Sequence, residues 1–230
     1  MASEPDNHHH NGLLHDESRR AVGGAAAHQG LLLDWGGVMT TNLFAAFGAF
    51  CSTEGVAPDL LREAFRHDEA TRDALIAFEE GRMNDDLFAS HLARALGLPH
   101  ERAEGLLDRM MAGATVEPDM VEMVRHARAA GIRVAMVSNS WGERRYPADV
   151  VAELFDATVV SGHEGFRKPD PRMYTLGAER LGLAPERCVM VDDLPFNLKP
   201  AAELGMATVL HHDPEATIGR LQVLLGVPLR

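Results

Sequence analysis

Four short stretches of this 230-residue chain carry side chains that could do chemistry together. Asp34 follows directly on the apolar run Leu31-Leu32-Leu33 and leads into Gly36-Gly37, so a carboxylate emerges from a strand end into a glycine turn. Ser138-Asn139-Ser140 closes a second apolar run, and Asp192-Asp193 closes a third at Val189-Met190-Val191. Between them, the stretch after Val160 leads through Ser161 into Arg167-Lys168-Pro169-Asp170-Pro171. Brought to one edge, these stretches supply a nucleophilic carboxylate, a hydroxyl donor, a fixed cation and an acidic pair. That set fits transfer of a phosphoryl group.

Each member answers a physical need. A phosphate monoester repels an anionic nucleophile, so Asp34 attacks only where positive charge offsets the repulsion, and Mg²⁺ on hard oxygen ligands is the usual remedy. Asp193, with Asp192 beside it, would hold that ion opposite Asp34. Lys168 would neutralise charge on Asp34 and on the equatorial phosphoryl oxygens, while Ser138 and the backbone amide of Asn139 hydrogen-bond those oxygens. The product is an aspartyl-phosphate, later attacked by water.

The elements that must position these groups can be read from apolar spacing. Leu31 to Leu33 is short and continuously apolar, as expected of a strand covered by helices on both faces. Further strands are expected at Arg133 to Val137, Thr158 to Val160, Cys188 to Val191 and Ala207 to Leu210. Helices are expected over Glu117 to Ala130, Arg172 to Leu181, Asn197 to Leu204 and from Pro214 onward. Residues 42–113 hold no strand candidate, and Leu43 to Glu54, Pro58 to Phe65, Ala70 to Glu80, Asp85 to Leu96 and Glu101 to Met111 carry helical spacing between Gly and Pro breaks. The expected fold is therefore α/β, a Rossmann-like parallel sheet flanked by helices in three α/β/α layers, with an all-helical insertion. The core is expected over 30–41 and 114–230, and the reactive groups at the carboxyl ends of its strands.

Bulk properties narrow the partners. A formal charge of −12 leaves no basic footprint for nucleic acid or an anionic membrane. Neither is expected as a partner; a small-molecule phosphate ester is. Cys51 and Cys188 form neither a C-x-x-C pair nor a disulfide framework, and read as reduced core thiols of a cytoplasmic protein. Residues 1–29, rich in His, Gly, Ala and Asn, read as a disordered arm with no apolar segment of signal or membrane-spanning length. Trp35 reads as a packing residue, Met110-Met111 as packing or hinge, and His211-His212-Asp213 as a loop.

The ordered set Asp34-Trp35-Gly36-Gly37-Val38, Val137-Ser138-Asn139, Lys168-Pro169 and Val191-Asp192-Asp193 with Asn197 resembles the haloacid dehalogenase-like (HAD) superfamily of hydrolases. The resemblance covers essentially everything after residue 29. The helical insertion at 42–113 is similar to the C1 cap of that superfamily, and Phe78-Glu79-Glu80-Gly81 resembles a cap segment of its phosphatase subgroups. The resemblance implies Mg²⁺ dependence and phosphatase chemistry, a sugar phosphate being one candidate substrate.

One position departs from the pattern. The superfamily usually places an Asp two residues beyond the nucleophile, where it protonates the leaving alkoxide and then deprotonates water; here that residue is Gly36. Acid-base catalysis contributes about 10²–10⁴-fold. The backbone carbonyl of Gly36 can still coordinate the metal. Three readings stay open: an active phosphatase using a cap residue such as His67, Glu79 or His91, a water or a good leaving group; a feeble enzyme; and a phosphate-binding pseudoenzyme. A metal-independent 2-haloacid dehalogenase is a further alternative, disfavoured because Asp192-Asp193 would repel a haloacid carboxylate.

Overall fold

Leu31, Leu32 and Leu33 have no solvent exposure, as a strand covered on both faces requires. They lie in β1 (Gly30–Leu33) of the computed structural model, which describes residues 28–230. The other strands are β2 (Arg133–Ser138), β3 (Ala157–Val160), β4 (Cys188–Asp192) and β5 (Ala207–Leu210). All pair in parallel, in the order β3-β2-β1-β4-β5. The chain runs outward from β1 through β2 to β3, then crosses to the other side of β1 for β4 and β5. The carboxyl end of β1 is therefore the topological switch point, where loops diverge and leave a crevice. Asp34 is the next residue.

Alternation along the strands divides the core. Leu31, Leu33, Val134, Met136, Val189 and Val191 face helices α6 (Pro118–Ala129) and α11 (Pro214–Leu225), with α7 (Ala148–Leu154) alongside α6. Leu32, Ala135, Val137, Cys188 and Met190 face α9 (Pro171–Arg180) and α10 (Pro195–Glu203). Gly177 lets α9 lie close on the sheet, since a Cβ there would sit 2.8 Å from Leu32 Cδ2. The three expected layers are present.

Between β1 and β2 come α1 (Leu43–Thr53), α2 (Leu60–His67), α3 (Glu69–Glu79), α4 (Asp85–Ala95) and α5 (Leu106–Met111). They share a separate apolar cluster, in which Phe78 stacks on Phe88 at 4.3 Å between ring centroids. Asn42 and Asn84 cap α1 and α4 by accepting from the amides of Ala45 and Leu87. The two connections to the sheet run side by side, Thr40 bridging Val116 and the Thr41 amide donating to the Thr115 carbonyl at 2.8 Å.

Some expectations need correction. The single helix expected over Glu101 to Met111 is a 3₁₀ turn at His100–Ala103 followed by α5, because Gly105 takes a left-handed conformation with φ +62° between them. Helices α7 and α8 (Ser161–Glu164) were not anticipated. Residues 1–27 of the expected arm lie outside the described residues, whereas Gln29 bonds through its main chain to Arg187 and Arg133. Among the described residues no helix is long and apolar enough to cross a membrane.

Candidate functional site

Asp34 continues straight from β1, its amide donating to the Val191 carbonyl at 3.0 Å. The chain then folds back sharply, the amides of Val38, Met39 and Thr40 all donating to the Trp35 carbonyl. Gly37 makes this turn with φ +76°, and a Cβ on it would meet Asp193 Oδ2 at 2.5 Å. The glycine thus lets the turn after the first strand lie against the acidic pair after the fourth. Asp34 Oδ1 accepts from the Trp35 amide at 2.7 Å and lies 2.9 Å from Lys168 Nζ.

Lys168 is fully buried and is also 2.6 Å from Asp192 Oδ2. Its main chain is clamped by Asn139, whose Oδ1 accepts from the Lys168 amide at 2.8 Å and whose Nδ2 donates to the Lys168 carbonyl at 3.1 Å. A cis peptide joins Lys168 to Pro169. Asp192 accepts further bonds from Asn197 Nδ2 and from the Leu194 amide, so both its oxygens are engaged. The expected residues Asp34, Lys168, Asp192 and Asp193 are thus assembled at one edge, with Asn139 and Asn197 fixing two of them.

The electrostatics of this cluster are unbalanced. Burial pushes the Asp34 carboxyl up to about 8 against the pull of Lys168, with Asp192 and Asp193 adding to the rise. Burial and the neighbouring Asp192 push Asp193 up to about 6. Burial alone would lower the Lys168 ammonium, but Asp192 and Asp34 outweigh it and hold the amine above its ordinary range. Three carboxylates face one ammonium, and they offer ligand oxygens within 4.8 Å of one another. A hard divalent cation would relieve this excess of negative charge with the donor type it prefers. The residues therefore fit Mg²⁺.

Ser138 ends β2 with its Oγ 3.0 Å from the Tyr146 hydroxyl and donating to the Asn139 carbonyl at 3.2 Å. Tyr146 was not anticipated. It packs edge-on against Trp35, which also meets Phe155, so Trp35 is a packing residue as expected. Gly36 lies at the floor, where an added Cβ would touch the Leu43 Cδ1 methyl at 2.6 Å.

The insertion forms the opposite wall of a cleft of about 690 Å³ that contains Asp34, Asn139, Lys168 and Asp193. Trp141 from the loop after β2 reaches into the insertion, its ring 5.5 Å from Phe47 and about 6.3 Å from Phe88 between centroids. Glu79 at the end of α3 also lines the cleft and is 4% exposed, paired with Arg167. Burial pushes its carboxyl up to about 7 against the pull of Arg167 and Lys168. Ser161 holds this end of α3, accepting from the Ser140 amide at 2.8 Å and donating to the Glu79 carbonyl. His67 is exposed and 3.2 Å from Glu63, and His91 is 3.2 Å from Thr71 Oγ1; neither lines the cleft.

Comparisons with known proteins bear on the family and the fold. A family model described as haloacid dehalogenase-like hydrolase matches residues 28–205. Acyl-CoA dehydrogenase family member 10 of Mus musculus is 40% identical over 116 residues, which cover 49% of this chain and 11% of that protein. The chain thus spans a small part of the length of that relative. Hexitol phosphatase A of Escherichia coli (strain K12) is 27% identical over 194 residues, 82% of this chain and 85% of that one. Among solved structures, an HAD family enzyme of Bacteroides thetaiotaomicron, in complex with magnesium and inorganic phosphate, has a TM-score of 0.57 at 18% identity, covering 80% of this chain and 94% of the other. A dehalogenase has a TM-score of 0.63 at 20% identity, covering 86% and 97%. These two likenesses concern the fold. With the family model matching most of its length, the chain belongs to the haloacid dehalogenase-like hydrolases.

Proposed function

We propose that this protein is a Mg²⁺-dependent phosphomonoesterase that moves a phosphoryl group from a small organic ester to Asp34 and then to water, with the helical insertion acting as a C1-type cap over the site. The observation that carries this reading is the buried Lys168 held between Asp34 and Asp192 beside Asp193, because that charge arrangement calls for a cation and leaves a carboxylate facing a cleft. Asp34, Asp193 and the Gly36 carbonyl would hold the ion, with Asp192 in support through its bonds to Lys168 and Asn197. When bound, Mg²⁺ supplies positive charge that lets an anionic nucleophile approach a phosphate. Asp34 attacks phosphorus in line with the leaving oxygen, and Lys168, Ser138 and the Asn139 amide stabilise charge on the equatorial oxygens.

The experiment is an assay of para-nitrophenyl phosphate and of 2-chloropropionate, each with EDTA and with Mg²⁺ restored. Phosphate release that stops in chelator and returns with Mg²⁺ is expected. Chloride release persisting in EDTA would favour the dehalogenase reading instead, while phosphate and Mg²⁺ binding without any turnover would favour a pseudoenzyme.

Glu79 is our candidate for the role Gly36 cannot play. It faces the cleft from the insertion, and a carboxyl near neutrality can give a proton to a leaving alkoxide and take one from water. Glu79→Gln is expected to lower turnover of alkyl phosphates by about 10²-fold while sparing para-nitrophenyl phosphate, whose leaving group needs little protonation. Because the acid must be protonated in the first step, the wild-type rate of that step falls as pH rises through about 7, and the variant lacks this limb. Gly36→Asp should restore part of the loss, since the Leu43 methyl in its way is a movable side-chain end. Equal loss on both esters would show that Glu79 only holds Arg167.

A further inference from the structure

The wall of the cleft restricts the alcohol that leaves. Among the described residues lining it, the uncharged hydrogen-bonding side chains other than the Trp141 indole are Asn139 and Asn197. Asn139 spends both amide atoms on the Lys168 main chain, and Asn197 is 2% exposed, its nitrogen turned to Asp192 and its buried Oδ1 the one side-chain amide atom of the pair left without a partner. Glu79, paired with Arg167, and Asp34 and Asp193 all belong to the reacting end. A sugar or polyol phosphate seated here would meet guanidinium donors at Arg66 and Arg72 but few free acceptors, and each hydroxyl buried without a partner lowers binding by about 5- to 150-fold.

Apart from its arginines, the rest of the cleft is lined mainly by apolar groups. Leu43, Phe65, Leu75 and Ile76 come from the insertion, and Trp141 from the core. Four large apolar side chains stay exposed among the described residues, Phe44, Leu87, Phe196 and Val223, and two of them, Phe44 at 42% and Phe196 at 54%, line this same cleft. One stands on α1 and the other on α10, on opposite walls. A volume of about 690 Å³ is far more than a phosphate needs and lies within the roughly 300–1,000 Å³ of pockets for drug-sized ligands. The same cleft is lined by Arg66 and Arg72, which have no carboxylate partner among the described residues. In a chain of formal charge −12 they provide local positive potential that draws an anion toward an apolar space.

Building on the phosphatase reading, we infer that the substrate is the phosphate monoester of a large apolar alcohol, long-chain, prenyl or aryl, rather than of a sugar or polyol. The alcohol lies between Phe44 and Phe196 and against Leu75 and Ile76, with its phosphate at Asp34.

The test is a series of straight-chain alkyl phosphates from ethyl to decyl, with glucose 1-phosphate and a hexitol phosphate, assayed with Mg²⁺ below micelle-forming concentrations. For wild type, kcat/KM should rise with chain length by up to about fourfold per methylene until the cleft is filled. The polyol esters should fall at least about 100-fold below decyl phosphate. Ile76→Asp should flatten the slope. Alkylphosphonates, as non-hydrolysable inhibitors of the wild type, should tighten along the same series. A flat series, or preference for a polyol ester, overturns the inference while leaving the phosphatase reading intact. Absence of turnover on every ester, para-nitrophenyl phosphate included, sinks that reading instead; the phosphonate series then still decides what the cleft binds.

Discussion

Asp34→Asn is expected to lower phosphate-ester turnover by at least about 10⁴-fold, the scale of losing a covalent nucleophile. An amide oxygen is too weak a nucleophile to accept the phosphoryl group, yet the side chain keeps nearly the same shape. It can still accept from the Trp35 amide, and Asp192 remains to pair with Lys168. Burial already disfavours a charge at position 34, so a neutral isostere there does not weaken the metal-free fold. Thermal unfolding in EDTA should therefore match wild type within a few degrees while activity is gone. Loss of structure with loss of activity would mean that Asp34 is a structural carboxylate, and retained activity that it is no nucleophile.

Lys168→Met should damage both function and stability. The ammonium is fully buried and pairs with Asp34 at 2.9 Å and Asp192 at 2.6 Å, so its removal leaves two carboxylates facing each other without a cation. Breaking a buried ion pair from one side costs about 3–5 kcal/mol. The sign of the pH dependence follows. Burial already raises the Asp34 carboxyl, and in the variant it loses the ammonium that pulls it down, so it binds its proton more tightly in the fold than in the unfolded chain; stability then falls as pH rises, and the deficit against wild type should be larger at pH 8 than at pH 5. Urea unfolding at the two pH values, in EDTA, measures this. A deficit under about 1 kcal/mol at pH 8, the scale of an exposed pair, would contradict the buried pairing.

Much of this site was legible because parallel sheets put chemistry where apolar runs end. Asp34, Ser138 and Asp192 each close a buried strand in sequence and in the structure. What could not be read was contact across loops. Asn139 was expected to act through its amide, but its side chain also sets the position of Lys168, a pairing that depends on how the loops after β2 and α8 meet. The Glu79–Arg167 pair and the insertion of Trp141 likewise depend on how the helical insertion sits on the sheet, which local spacing does not encode. Helix α7 was missed because it buries only Leu154, leaving no periodicity to see. Helix α8 is four largely polar residues. At Glu101 to Met111 the break was visible at Gly105, but apolar spacing on both sides of it argued for continuity.

The central claim is that Asp34 accepts the phosphoryl group. Its most direct test is to mix the protein with radiolabelled phosphate ester and Mg²⁺, quench in acid within milliseconds, and locate the label by peptide mapping. The account predicts a base-labile phosphoryl group on the peptide containing Asp34, absent in EDTA and absent from Asp34→Asn. Label on a different residue, or steady Mg²⁺-dependent turnover by Asp34→Asn, would contradict it.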